Sequence, residues 1–308
     1  MFQKLRKSKK LLLVAMACAT FAIAGCGSDT TKNAADNGNA VTWSETFDGT
    51  KTDFAVKSSP THAVSMSQAT TEMMLQLGLE YKMAGTAFKE EEIYPPLQAA
   101  YDKVKVLSDK WPSYEVFMSV KPDFATGWPD SFSKRAIPAD KMIAQKVNIW
   151  LPESMLSTKA DLETNFNDMI KLGEIFGVKP KAEEWVAGQR KTLAAIQDKL
   201  KDLPRKRVFI YDSEDGQPFT AFEGYTTNIL KLIGADNVMS GLGVDKTWAK
   251  GSWETVIAQN PDYIIIADYG TSIRNDDDFQ QKIEKIKSNP QLQDITAVKE
   301  GHFIRVKL

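Results

Sequence analysis

Short apolar runs alternate with stretches of helical spacing along most of this 308-residue chain. "HAVSM" (His62 to Met66), "KMAGTA" (Lys82 to Ala87), "VKVLS" (Val104 to Ser108) and "DFATGW" (Asp123 to Trp128) have the length of buried strands. Between the first two, "SQATTEMMLQLGLE" sets Met73, Met74, Leu77 and Leu79 near the helical period, and Gly78 stands where a helix ends. The alternation returns after Arg205. "KRVFIYD" is a strand, "YTTNILKLIGADNV" a helix closing at Gly234 with a short strand around Asn237, and "DYIIIADYG" a further strand. Strands alternating with helices predict βα units and mainly parallel sheets.

One phrase occurs twice. "SYEVFMSVKPDF" (Ser113 to Phe124) and "SWETVIAQNPDY" (Ser252 to Tyr263) share a frame of Ser, aromatic, Glu, six residues, Pro, Asp, aromatic. The order of elements around each copy repeats as well, which predicts an internal duplication into two similar α/β lobes. Ser113 and Ser252 are placed as N-caps, and Pro-Asp as the end of a helix and the start of a strand. Glu115 and Glu254 stand two residues after the cap, whereas a capping box needs its acid three after. An acid in a first turn complements the helix dipole. Its recurrence in both lobes also suits two carboxylates meeting two basic pockets on a partner.

Between the lobes, Thr158 and Asp161 have capping-box spacing, and Leu162, Phe166, Met169, Ile170 and Leu172 follow the helical period. Gly177 and Pro180 break the pattern. A second helix is expected from about Ala182 to Leu200, with Trp185, Val186, Leu193, Ile196 and Leu200 on one apolar stripe.

The N-terminus changes the picture of where the chain works. Five basic residues between Lys4 and Lys10 precede "LLLVAMACATFAIA" and then small residues up to Cys26, the layout of a secretory signal. The apolar run is short for a bilayer span, the other reading of it. "Ile23-Ala24-Gly25-Cys26" looks like a bacterial lipobox, with Cys26 as the lipidated residue and two acyl chains as a durable anchor. The polar stretch after it reads as a tether. The expected organisation is therefore 1–25 signal, 26–40 tether, 41–157 N-terminal lobe, 158–203 helical connector and 204–308 C-terminal lobe.

Charge and cysteine count narrow the function. The chain carries 39 Lys and Arg against 40 Asp and Glu, and loss of the five basic residues of the signal leaves 34 against 40. An acidic body argues against nucleic acid. The only cysteines are Cys18 and Cys26, so the mature lobes hold no disulfide and no thiolate metal site. Two histidines, His62 and His302, give no ligand cluster for a bare metal. The sequence lacks G-x-S-x-G, H-E-x-x-H and P-loop motifs; Glu72 and Glu115 could serve a lipid-anchored enzyme as an acid–base pair, but nothing in the sequence places them together.

Taken together, the lipidated N-terminus, the two lobes, the bridging helix, the paired Ser-aromatic-Glu phrases and "ATTEMMLQLGLEYKMAGTA" (Ala69 to Ala87) resemble the solute-binding proteins of ABC importers for iron–siderophores, haem and cobalamin. The resemblance runs from about Val41 to the end. It implies two Rossmann-like lobes joined by one long helix, a ligand cleft between them, no catalysis, and a monomer anchored on the extracytoplasmic face of the membrane or in the periplasm. It implies an ABC permease and its ATPase as partners, with Glu115 and Glu254 docking on permease arginines. The resemblance implies a final helix past "GHFIRVKL", so either this chain is truncated there or that helix is absent. No cofactor is expected; the ligand is expected to be a ferric siderophore, with cobalamin or another corrinoid second and haem third. The cleft is expected in loops after the strands, and the candidates there are Ser67, Gln68, Trp111, Trp128, Arg135, Tyr225, Trp248, Tyr269 and Arg274. Aromatic walls suit a bulky organic ligand, and Arg135 with Arg274 would suit an anionic chelate. An adhesin on the same fold would bind none of these.

Overall fold

The structure, a computed structural model, describes residues 40–269 and 278–307. The signal, nearly all of the tether and Arg274 lie outside these residues. The first lobe opens with an antiparallel hairpin, β1 (Val41–Phe47) and β2 (Thr50–Val56). Then come β3 (Ala63–Ser65), α1 (Gln68–Gln76), β4 (Met83–Ala87), α2 (Gln98–Tyr101), β5 (Val106–Ser108), α3 (Tyr114–Ser119), β6 (Phe124–Thr126), α4 (Ala139–Ala144) and β7 (Asn148–Trp150). The five strands from β3 to β7 are parallel, in the order β5-β4-β3-β6-β7. Central β3 is buried throughout, which is why its residues do not alternate.

Two helices follow, α5 (Leu162–Ile175) and α6 (Lys179–Leu200). The second lobe contains β8 (Lys206–Tyr211), β9 (Ser213–Asp215), β10 (Gln217–Ala221), α7 (Tyr225–Leu232), β11 (Ala235–Asn237), β12 (Trp248–Lys250), α8 (Trp253–Gln259), β13 (Tyr263–Asp268) and β14 (Phe303–Lys307), with a helix over Asp278–Ser288 before β14. Its parallel sheet runs β11-β8-β13-β14, and β9, β10 and β12 form a separate antiparallel sheet. The order β4-β3-β6-β7 in one lobe is matched by β11-β8-β13-β14 in the other. The duplication read in the sequence is thus a duplication of topology.

The repeated phrase does the same local work in both copies. Ser113 accepts from the Val116 N–H and Ser252 from the Thr255 N–H, each as an N-cap. The residue before each proline, Lys121 or Asn260, takes a left-handed conformation (φ +50° and +43°) that closes the helix. Asp123 then accepts the backbone N–H groups of Thr61 (2.8 Å) and His62 (3.0 Å) at the head of β3. Asp262 accepts that of Arg207 (2.8 Å) at the head of β8. Each aspartate ties the strand it opens to the central strand beside it.

Three sequence expectations change. The capping box of α5 pairs Asp161 with Thr164, not Thr158 with Asp161: the Asp161 carboxylate accepts the Thr164 N–H at 2.9 Å and the Thr164 hydroxyl takes the Asp161 N–H at 3.2 Å. Pro180 does not break a helix but sits in the first turn of α6, where its missing N–H costs nothing. The break belongs to Gly177 alone, at φ +70°. The apolar stripe of α6 is buried only in its first half. Ala182 and Val186 join the core that holds Phe166, Met169, Leu172 and Trp150, while Ile196 is 41% exposed. The connector therefore packs as part of the first lobe before leading into β8.

The hairpin over 41–56 was not anticipated. Asp48-Gly49 at its tip takes φ +47° and +79°, the left-handed turn that joins the alternating residues of "TWSETF" to the returning strand. It covers β7: the Trp43 Nε1–H donates to the Ile149 carbonyl (2.7 Å), and the Glu45 carboxylate accepts the Leu151 N–H (2.9 Å).

Candidate functional site

In both lobes the loops that follow the strands lie at the C-terminal edge of a parallel sheet, where open α/β sheets bind their ligands. In the first lobe this edge carries an aromatic shelf. Phe88, just after β4, stacks on Trp111, just after β5, with ring centroids 4.7 Å apart and planes 21° from parallel. The Trp111 Nε1–H donates to the Met66 carbonyl (3.1 Å), which fixes the indole to the end of β3. Trp128, after β6, donates its Nε1–H to the Glu90 carboxylate (3.3 Å). Burial pushes the Glu90 carboxyl above its usual range, and the Trp128 bond partly offsets that.

Ser67 and Gln68 build the shelf rather than line it. Ser67 is fully buried, caps α1 and bonds Thr70 (2.8 Å). The Gln68 amide is engaged at both ends: its oxygen accepts the N–H groups of Glu90 (2.9 Å) and Glu91 (2.7 Å), and its nitrogen donates to Glu72 (2.9 Å). Glu72 also accepts the Tyr94 N–H, so it serves this loop. Phe88 sits at φ +60°, a strained conformation for a bulky residue, and strain of this kind gathers at functional sites.

Arg135 does not join the shelf. It pairs with Asp130 and leaves its side chain 72% exposed. The loops at this edge carry the carboxylates Glu90, Glu91 and Glu92 and, exposed beside them, the ammonium groups of Lys89 and Lys110. The support that Arg135 lent to an anionic ligand is therefore withdrawn.

In the second lobe, Tyr269 at the end of β13 donates its hydroxyl to Asp212, and the Lys282 ammonium lies 5.0 Å from its ring. Lys282 is buried and bonds both Asp278 and the Ala267 carbonyl at 2.6 Å. A cavity of about 460 Å³ beside it is lined by Tyr211, Ser213, Glu214, Phe219 and Lys250. Trp248 stacks on Phe219 (6.2 Å) and packs on the Val208 and Ile210 core, so its ring serves packing. Tyr225 opens α7 and is half-buried; burial first and the nearby Asp168 second raise its hydroxyl. The two edges meet at one described point, where the Lys307 ammonium at the end of β14 is 4.0 Å from the Glu91 carboxylate.

Both repeated glutamates are exposed at the first turns of α3 and α8. Each helix precedes a strand of a parallel sheet and runs back along it, so its N-terminus lies at the same edge as the loops above. The glutamates stand on that edge in each lobe. Glu115 is held below the usual carboxylate range by its own backbone N–H and by the Ser113 hydroxyl. Their aromatic neighbours differ: Trp253 is buried against Tyr211 and Phe209, whereas Tyr114 is half-buried with Lys141 over its ring at 5.8 Å.

Neither histidine stands at this edge. His62 and His302 immediately precede β3 and β14, and His302 stacks on Tyr263 at 4.7 Å. Among the described residues no group of His, Cys, Asp and Glu could hold a metal ion, and no helix is long and apolar enough to cross a membrane.

The sequence profile of periplasmic binding proteins matches residues 64–307, which spans both sheets and the connector. The chain belongs to the periplasmic binding protein family. A crystal structure of a family protein from Veillonella parvula is 96% identical, with a TM-score of 0.85 over 88% of this chain and 92% of that one. An uncharacterized ABC transporter substrate-binding lipoprotein of Bacillus subtilis, YvrC, is 26% identical over 272 residues, covering 85% of this chain and 82% of that protein. A vitamin B12-binding protein of Vibrio vulnificus is 23% identical over 242 residues, covering 78% and 79%. These relatives are substrate-binding proteins, not enzymes. The internal duplication, the shared sheet edge and the exposed glutamates are thus read within this family.

Proposed function

We propose that this chain is the extracytoplasmic substrate-binding component of an ABC importer and that it captures a ferric siderophore between its two lobes. The importer class follows from the family and from the relatives above. The ligand reading is carried by one observation, the preformed shelf of Phe88, Trp111 and Trp128 at the sheet edge of the first lobe. Flat aromatic faces held by hydrogen bonds from their own N–H groups favour a bulky, partly apolar ligand. With no metal-ligating cluster among the described residues, iron would arrive inside its own chelate. Trp111, Trp128 and Tyr269 touch the ligand in this reading, Gln68 positions the loop beneath it, and Arg274 remains a candidate outside the described residues.

A corrinoid is the second reading. The similarity to a vitamin B12-binding protein favours it, and carboxylates at the shelf would accept the amide N–H groups of such a ligand. Cys26 carries the lipid anchor, and a permease with its ATPase receives the ligand by way of Glu115 and Glu254.

Tryptophan fluorescence decides between the readings. Titration with ferric siderophores should give saturable quenching, reduced about tenfold or more in affinity by Trp111→Ala. Saturation by cobalamin but by no siderophore would replace the first reading with the second. Silence toward every chelate, or turnover of one, would remove both.

A further inference from the structure

The loop after β4 holds a carboxylate that its surroundings do not satisfy. The Glu91 side chain is only 11% exposed, and its Oε1 is buried with no hydrogen-bond donor. A buried carboxylate oxygen without a donor is a rarity in a folded protein and calls for a reason. Slack in the backbone is not that reason. The N–H of Glu91 and that of Glu90 are both held by the Gln68 amide oxygen, and Phe88 is locked against Trp111 three residues earlier. The group is aimed by a rigid loop.

What it faces is the other lobe. The second oxygen of Glu91 is 4.0 Å from the Lys307 ammonium, at the outer limit of an ion pair, and the Lys307 side chain is half exposed. Lys282 and Asp278 show what a committed pair looks like in this molecule: 2.6 Å apart, with both side chains buried. Lys307 is by comparison loosely held and replaceable. Glu90 and Glu92 stand on either side of Glu91 and outnumber the one cation of this run, the exposed Lys89, so a ligand carrying carboxylate or catecholate charge would meet mostly like charge here.

We propose that Glu91 sets the charge of the ligand: its unpartnered oxygen receives an ammonium or other cationic N–H group of the bound chelate, which displaces Lys307. This rests on the reading of the interlobe edge as a siderophore site. The selected class is then a ferric chelate that is positively charged at its periphery, not the anionic one that the arginines had suggested.

Two probes isolate this charge. One is a ferric trihydroxamate bearing a free terminal ammonium; the other is the same chelate with that amine acetylated, equal in iron centre and nearly equal in shape. The full chain should bind the ammonium form about tenfold tighter or more, and Glu91→Gln should bring the two within about twofold of each other. Glu91→Gln should leave the acetylated form bound as well as before, which shows that the variant is folded. Equal affinities in the unaltered protein, or a preference that survives in Glu91→Gln, would overturn the assignment of Glu91 while leaving the site intact. Binding of neither chelate would overturn the siderophore reading and this inference with it.

Discussion

Glu45 illustrates how much one buried carboxylate governs in this molecule. It lies on β1, is 7% exposed, and reaches the Leu151 N–H 106 residues away. Burial raises its carboxyl from 4.5 to about 7, the Leu151 bond opposes that, and the charges of Glu153 and Asp168 add to it. A carboxyl raised by folding leaves its contribution to stability fully present below the unfolded value and lost as pH climbs through the folded one. The hairpin should thus weaken between pH 4.5 and about 7. Glu45→Gln keeps an acceptor for Leu151 and cannot ionise. Urea denaturation should find it more stable than the parent at pH 8 by roughly 1–3 kcal/mol, and equal to it near pH 4. A parallel pH dependence in the two proteins would show that the carboxyl titrates normally. Separation along the chain explains which single residues were readable. Ser113 and Ser252 bond a residue three positions on, so their role is local and visible. Gln68 acts on residues 22 and 23 positions away and Glu45 on one 106 away. No local pattern encodes such partners, which is why Gln68 was expected to meet ligand and is instead engaged in holding the Glu90–Glu91 loop.

Among the elements, the helical pair α5–α6 leaves little room for added volume at its contact. The turn between them is closed by the Val178 N–H on the Gly173 carbonyl at 2.7 Å. A Cβ on Gly173 would stand 2.7 Å from the Ala182 Cβ and 3.1 Å from the Lys179 Cα, both fixed parts of α6. Gly173 is helical, so its replacement by Ala gains helix propensity of about 1 kcal/mol in isolation. Overpacking opposes it at about 1–3 kcal/mol, because neither neighbour is a flexible side-chain end. Gly173→Ala should therefore lower the melting temperature by several degrees, and Gly188→Ala, where a Cβ meets nothing within 4 Å, should raise or leave it. Calorimetry of the two variants checks this; a stabilised Gly173→Ala would mean that α6 moves away at little cost. Strands of the two parallel sheets such as β3, β4, β6, β8 and β13 were legible because burial on two faces imposes unbroken apolar runs, whereas the hairpin β1–β2 and the antiparallel sheet of β9, β10 and β12 were not. The end of α6 was not. Its residues repeat the apolar period, yet from Lys191 on most of them face solvent, and periodicity alone does not say whether a partner surface exists.

At the scale of the whole molecule, two sheets of matching order hold equivalent helices, and each helix offers the one glutamate of its first turn to solvent. The structural parts of the repeated phrase are accounted for within each lobe: the serines cap, and the aspartates bind the heads of β3 and β8. The glutamates have no such employment. Glu115 is held ionised by its own backbone and Ser113, and Glu254 is exposed at the matching position. Exposed charges of this kind add little to folding, so removing them should cost the fold almost nothing. If they meet cationic pockets of a permease, removing both should cost transport instead. Glu115→Ala combined with Glu254→Ala should leave the melting temperature and the ligand affinity as they were and reduce uptake into cells by about tenfold or more, with each single variant between the extremes. Arginine in place of either glutamate should be worse than alanine, since like charge at a complementary interface is repulsive rather than neutral. Equal uptake by the double variant and the parent, with both proteins present at the same level on the cell, would separate the duplicated phrase from docking and return its glutamates to the helix dipole.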